Sequence, residues 1–163
     1  MNIFISSDLH LGHKNAVKWR EGFNSSAHHD AVILQNHIEI LDKRKIWICC
    51  GDVAFTKEAL ESLKQIVCHK KILILGNHCT ERGLTVVDFM EVFDEIHGLK
   101  SGTYNGKKYW LSHAPIHPNE LRGKVNIHGH SHKDVMGDDR YINVCLEHTN
   151  YRPVYIGDLL KCT

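Results

Sequence analysis

The sequence predicts an α/β fold in one domain spanning residues 1–163. Three observations carry that prediction. The early strand-length runs, at 3–5, 45–50 and 71–75, are apolar nearly throughout, the pattern of strands covered on both faces. The stretches between them repeat apolar residues at helical spacing, which argues for parallel strands joined by helical crossovers. Beyond residue 94 the runs shorten, and Asn105-Gly106 between two of them is a strong hairpin signal. The expected layout is a parallel first half and a hairpin-rich second half.

Each element follows from its own residues. The run at 3–5 breaks at Ser6-Ser7-Asp8-Leu9-His10 and opens the chain as a strand. Residues 12–26 are polar and glycine-punctuated, a loop with one short helix. At 28–41, Val32, Ile33, Asn36, His37, Ile40 and Leu41 share one helical face. The strand at 45–50 ends on Gly51-Asp52, and a helix over 57–67 follows, with Leu60, Leu63, Ile66 and Val67 aligned. The strand at 71–75 ends on Gly76-Asn77-His78. After a short apolar segment at 85–93, strands are expected at 95–99, 102–104, 107–111, 124–128 and 141–146. An edge strand at 153–156 and a short terminal helix close the chain.

Composition excludes several classes. Lys plus Arg (20) nearly balances Asp plus Glu (19), so no strong field favours a nucleic acid or an anionic membrane. The chain starts directly on a strand, and no apolar run approaches a membrane span, so no membrane partner and a cytoplasmic location are expected. The six cysteines, at 49, 50, 68, 79, 145 and 162, include no C-x-x-C pair; they read as reduced, mostly buried thiols rather than a zinc ribbon. The 14 histidines are more than a fold requires.

Asp8, His10, Asp52, Asn77, His78, His113, His130 and His132 each lie just past the end of an expected strand. In α/β sheets ligands bind outside the carboxyl ends of strands, so these loops can converge. Carboxylate, imidazole and amide donors together suit two divalent ions: Mn²⁺ first, with Fe, Zn, Ni or Co also suited. One Asp can bridge two such ions. Two carboxylates against two dications leave the centre net positive, which favours an anionic substrate such as a phosphoester and yields hydroxide at neutral pH.

Asp8-Leu9-His10, Gly51-Asp52, Gly76-Asn77-His78, His113 within Ser112-His113-Ala114-Pro115, and Gly129-His130-Ser131-His132 resemble, in order, the five motifs of the calcineurin-like metallophosphoesterases. The narrower likeness, carried by residues 8–15 and 150–154, is to small single-domain members common in phages and bacteria. The resemblance implies a four-layer αββα sandwich. It implies one metal on Asp8, His10 and His132, a second on Asn77, His113 and His130, and Asp52 bridging them. His78 would sit with Asn77 beside the phosphate, stabilising its charge or protonating the leaving oxygen.

Two departures stand out. The acidic residue usual after Gly-Asn-His is replaced by Cys79, which neither holds the ring of His78 nor favours its charged form; Glu81 or Asp88, in the following loop, is the alternative partner for that ring. An Asp-Arg pair typical of Ser/Thr protein phosphatases is missing after Asp52. The expected activity is hydrolysis of a small phosphodiester or nucleotide by a metal-activated hydroxide, with a metal-dependent nuclease or a catalytically weak metal-binding scaffold as alternatives. Arg20, in the loop after His10, is expected to grip substrate phosphate. Loops 13–29 and 114–123 are expected to set specificity. His13 and His128 lie close to the site, His37 is expected to be a core histidine, and the remaining histidines surface or supporting groups.

Overall fold

The computed structural model describes residues 1–161, so Cys162 lies outside the described residues. Nine strands form two sheets. β1 (Asn2–Ser6), β2 (Lys45–Cys49), β3 (Lys70–Ile74) and β4 (Glu95–His97) are parallel, and β9 (Val154–Tyr155) adds antiparallel to β1, giving the order β4-β3-β2-β1-β9. The second sheet runs β5 (Lys100–Tyr104), β6 (Lys107–Ser112), β7 (Val125–His128) and β8 (Tyr141–Asn143).

Alternation within the strands divides the core in two. Ile5, Ile48, Cys50, Ile72 and Ile74 turn towards Tyr109, Leu111, Ile127 and Val144 of the second sheet and fill the space between sheets. The opposite face, with Trp47, Cys49 and Leu73, packs under three helices: α1 (Ser26–Ile40), α2 (Lys57–Ser62) and α3 (Val86–Met90). A last helix, α4 (Ile156–Lys161), inserts Ile156 and Leu160 into the inter-sheet core. On the outer face of the second sheet, the segment around the 3-10 turn Pro118–Glu120 supplies the fourth layer: Asn126 is buried there and accepts from the Ile116 amide at 2.9 Å. The chain is thus the αββα sandwich that the resemblance implied, with that layer reduced to a loop.

Helix starts follow side-chain capping. Ser25 Oγ accepts from His28 N and Thr56 Oγ1 from Ala59 N. Thr85 and Asp88 form a reciprocal capping box, which makes a helix of the segment that the sequence presented only as apolar. The helix expected over 57–67 stops at Ser62, whose hydroxyl donates to Ala59 O at 2.6 Å; a 3-10 turn, Leu63–Gln65, continues it.

The expected hairpin-rich second half is corrected. Only β5–β6 is a hairpin, around Asn105-Gly106; β6, β7 and β8 are parallel. Residues 113–124 and 129–140 supply the dozen residues that a parallel crossover needs, without using a helix.

His37 sits in the core as expected, fully buried. Its Nδ1–H donates to Ile33 O at 2.8 Å, and Nε2 accepts from Ser6 Oγ at 3.0 Å; Ser6 Oγ in turn accepts from Trp47 Nε1 at 2.9 Å. Burial holds this imidazole neutral, its pKa pushed down to about 4. Among the described residues the five cysteines are free thiols, four of them buried, and no helix is long and apolar enough to cross a membrane.

Candidate metal centre

The loops leaving β1, β2, β3, β6 and β7 meet at one edge of the sandwich. They are stitched backbone to backbone: Asp8 N donates to Gly51 O, His10 N to Asp52 O and Gly129 N to His113 O, at 2.8–3.0 Å. Close approach demands glycine at three points, Gly51, Gly76 and Gly129. A Cβ at Gly76 would lie 2.1 Å from Asp52 Oδ1, and one at Gly129 would lie 2.3 Å from Asp8 Oδ2.

Two groups of ligand-type side chains result: Asp8, His10 and His132 in one, Asp52, His113 and His130 in the other. Asp8 is fully buried. Its Oδ2 accepts from Ser7 Oγ (2.5 Å), His130 N (2.9 Å) and Cys145 Sγ (3.2 Å). Its Oδ1 has no hydrogen-bond partner and lies 3.5 Å from His10 Nε2 and 3.9 Å from His132 Nε2. Burial raises the pKa of Asp8, but His10, the charge of His113 and Ser7 outweigh it and hold the carboxyl well below the usual range. Both ring nitrogens of His10 are buried without partners, and burial keeps that ring neutral.

In the second group, His113 Nε2 lies 3.2 Å from Asp52 Oδ2, 2.9 Å from Asn77 Oδ1 and 3.2 Å from His130 Nδ1. Its other nitrogen, Nδ1, donates to Cys50 O at 2.8 Å, so Nε2 is the nitrogen turned towards Asp52 and Asn77. Asp52 Oδ1 accepts from His78 N at 3.0 Å. A burial penalty opposes ionisation of Asp52, but hydrogen bonding from His113 prevails and lowers its pKa.

His10, His130 and His132 of these groups line a cleft of about 680 Å³. Trp19, Phe55 and His13 give it an aromatic wall, Arg82 and Lys133 stand on its rim together with Glu81 and Asp134, and His78 is beside them. His78 Nδ1 lies 2.7 Å from Glu81 Oε2, so a carboxylate two residues past Cys79 holds this ring. Cys79 points the other way, buried in the core, with Sγ 3.2 Å from Gly76 N.

Three expectations are corrected by placement. Arg20 is not at the cleft: it is fully buried, and its guanidinium donates to Glu147 Oε1 (2.9 Å), Leu9 O (3.1 Å) and Asp8 O (2.5 Å), with Nη1 also 3.0 Å from His29 Nε2. With four of its five N–H groups engaged and the whole side chain buried, this guanidinium does not reach a phosphate in the cleft. Loop 114–123 does not line the cleft; it covers the second sheet, and its Arg122 pairs with Glu120. The cleft walls come instead from residues near 13–19, 78–82 and 131–134. His128 is buried with Nδ1 donating to Gly129 O, away from the cleft.

Glu147 escaped the sequence reading altogether. Its Oε1 lies 3.0 Å from His132 Nδ1 and accepts from Arg20 as well. Burial pushes its pKa up, yet His132 and Arg20 more than offset that and hold it at about 2. The cluster Cys145-Leu146-Glu147 carries no local sign of this; the contact spans 127 residues to Arg20.

The donor set fits divalent ions. An ionised, buried carboxylate oxygen with no hydrogen-bond donor, next to a histidine whose ring nitrogens are likewise unpartnered, is an arrangement that costs free energy unless a cation completes it.

No protein-family model matches the chain. It is 26% identical over 172 residues to an uncharacterized protein of Methanocaldococcus jannaschii, covering 98% of this chain and 89% of that one. It is also 26% identical over 186 residues to the Gene 66 protein of Mycobacterium phage L5, covering 96% and 86%. Among solved structures, a protein of unknown function from Aquifex aeolicus superposes with a TM-score of 0.80 at 25% identity, over 99% of both chains. An archaeal phosphodiesterase superposes at 0.53 with 19% identity, over 89% of this chain and 82% of that one. Two mixed sheets flanked by helices, with the candidate ligand loops at one edge, give the chain the fold that it shares with the Aquifex protein and the archaeal phosphodiesterase.

Proposed function

We propose that the protein is a phosphoester hydrolase working with two divalent metal ions, Mn²⁺ foremost, on a phosphodiester or nucleotide-type substrate in the cytoplasm. The observation that carries this is the Asp8 carboxylate, with one oxygen saturated by three donors and the other turned bare towards His10 and His132. Asp8, His10 and His132 would hold one ion and Asn77, His113 and His130 the other, with Asp52 between them. Bound there, such ions supply charge for the phosphoryl oxygens and a nucleophile at neutral pH.

The chain's own groups divide the remaining work. Arg82 and Lys133 on the rim draw an anionic substrate in. Trp19, His13 and Phe55 offer an aromatic surface to the organic part of the ester. His78 keeps Nδ1 on Glu81 and presents Nε2–H to the leaving oxygen, to which it gives its proton. Glu81 thereby supplies the carboxylate that the sequence seemed to lack at position 79.

A hydrolysis screen of the Mn²⁺-loaded protein tests this against mononucleotides, cyclic nucleotides, simple diesters, phosphopeptides and short nucleic acids. Turnover of diesters or nucleotides is expected. No turnover of any phosphoester, or fastest release from phosphopeptides, would count against it.

A further inference from the structure

We propose that Arg20 and Glu147 form a buried brace that aims the Asp8–His10–His132 ligands, Glu147 acting through His132 and Arg20 through the backbone on either side of Leu9. This rests on the reading of those three residues as metal ligands.

Arg20 reaches the carbonyls of Asp8 and Leu9, the two peptide units that separate Asp8 from His10. Both Asp8 (φ 59°) and His10 (φ 53°) are left-handed, a conformation that is unfavourable for a non-glycine residue and needs outside support. A guanidinium is the side chain that can hold two carbonyls and a carboxylate at once, because its donors are fixed in a planar fork. The third arm of that fork falls on Glu147 Oε1.

The same oxygen faces His132 Nδ1. A carboxylate can only accept here, so Nδ1 carries the proton and Nε2 keeps the lone pair that points towards Asp8 Oδ1. One carboxylate oxygen therefore couples the turn at residues 8–10 to the histidine at 132. The brace is anchored behind. His29 Nδ1 donates to Asp30 Oδ1, leaving Nε2 to receive Arg20, and Asp30 Oδ2 accepts from Gly12 N. Replacing a buried ion pair by apolar packing is often neutral or stabilising, so stability alone gives little reason for this one. Its geometry does.

The test measures Mn²⁺ affinity and stoichiometry by calorimetry and the Mn²⁺ spin-resonance spectrum on the full chain. Glu147→Ala should weaken one of two Mn²⁺ sites by about 10–100-fold and leave the other within a few-fold. Its spectrum should change from that of a coupled pair to that of an isolated ion. Glu147→Gln should restore most of the affinity, because the amide oxygen can accept from both Arg20 and His132. In a His132→Ala background, Glu147→Ala should add little. Arg20→Lys keeps the charge without the fork and should lose the same site; circular dichroism checks that each variant is folded. Glu147→Gln as impaired as Glu147→Ala, or a full extra penalty in the His132→Ala background, would overturn the brace. So would two wild-type-tight ions in Glu147→Ala. A wild-type protein that binds no Mn²⁺ would overturn the metal-centre reading and the brace with it.

Discussion

An aspartate introduced at position 79 should damage this protein without helping its chemistry. Cys79 is fully buried, packed in the core between β3 and the helices, and burial raises its thiol pKa. A carboxylate there would find one donor, the Gly76 amide now 3.2 Å from Sγ, and otherwise apolar neighbours. Burying an ion costs several kcal/mol, of which one charged hydrogen bond returns about 1.5–3, so Cys79→Asp should lose on the order of 3 kcal/mol. The ring of His78 gains nothing, since Glu81 already holds it. That pair is 39% and 49% exposed, so it contributes less than about 1 kcal/mol, and Glu81→Gln should cost turnover no more than roughly fivefold. His78→Ala, which removes the proton donor itself, should cost about 10²–10⁴-fold on substrates with poor leaving groups. Urea unfolding of Cys79→Asp beside Cys79→Ala measures the first effect, and steady-state kinetics the other two. Cys79→Asp within 1 kcal/mol of Cys79→Ala, or with a raised kcat/KM, would refute the reasoning.

Two further outcomes are expected. Asp52→Asn should reduce turnover at saturating metal more than Asn77→Ala does, because it removes the negative charge proposed to serve both ions rather than one neutral donor; equal losses would mean that Asp52 does not serve both ions. Acid should destabilise the fold through His37: its folded pKa of about 4 lies below the unfolded value, so the unfolded chain takes up the proton first. Stability is then complete above about pH 6.5 and falls by up to about 3 kcal/mol as pH drops towards 4. Urea midpoints at pH 7 and 4.5 should converge between wild type and His37→Gln at the lower pH, and parallel shifts would contradict the assignment.

The candidate ligands were legible because each is a local event: an apolar run ends, and an Asp, Asn or His follows at once. Their partners were harder to see. Arg20 looked like a phosphate grip because a loop arginine after Asp8-Leu9-His10 is solvent-facing by default, and only the fold turns it inward onto Glu147, 127 residues away. Glu81 lay three residues from His78 and was legible, with Asp88, as an alternative partner for that ring; the fold chooses between them, because Asp88 is taken up by the capping box with Thr85. The parallel second sheet was hidden for a different reason. Residues 129–140 carry no helical periodicity, so nothing in their composition announces a crossover, and the strong Asn105-Gly106 turn suggested that later strands would pair the same way.

The choice of ligand residues and the shape of the backbone explain one another. Asp8, His10, Asp52, His130 and His132 all sit at positive φ, whereas Asn77 and His113 do not. Left-handed residues turn the chain sharply, so the segments carrying Asp8 and His10, and His130 and His132, leave their strand directions at once and stay at the sheet edge where the two groups of side chains form. Among residues with a Cβ, Asp, Asn and His enter this region most readily, and they are also the hard and borderline metal donors. A valine or leucine at any of these positions would lose both the ligand and the turn. The chemistry and the conformation therefore restrict the same five positions, and the stitched strand ends, with the Arg20 fork beneath two of them, are what keep those turns from relaxing.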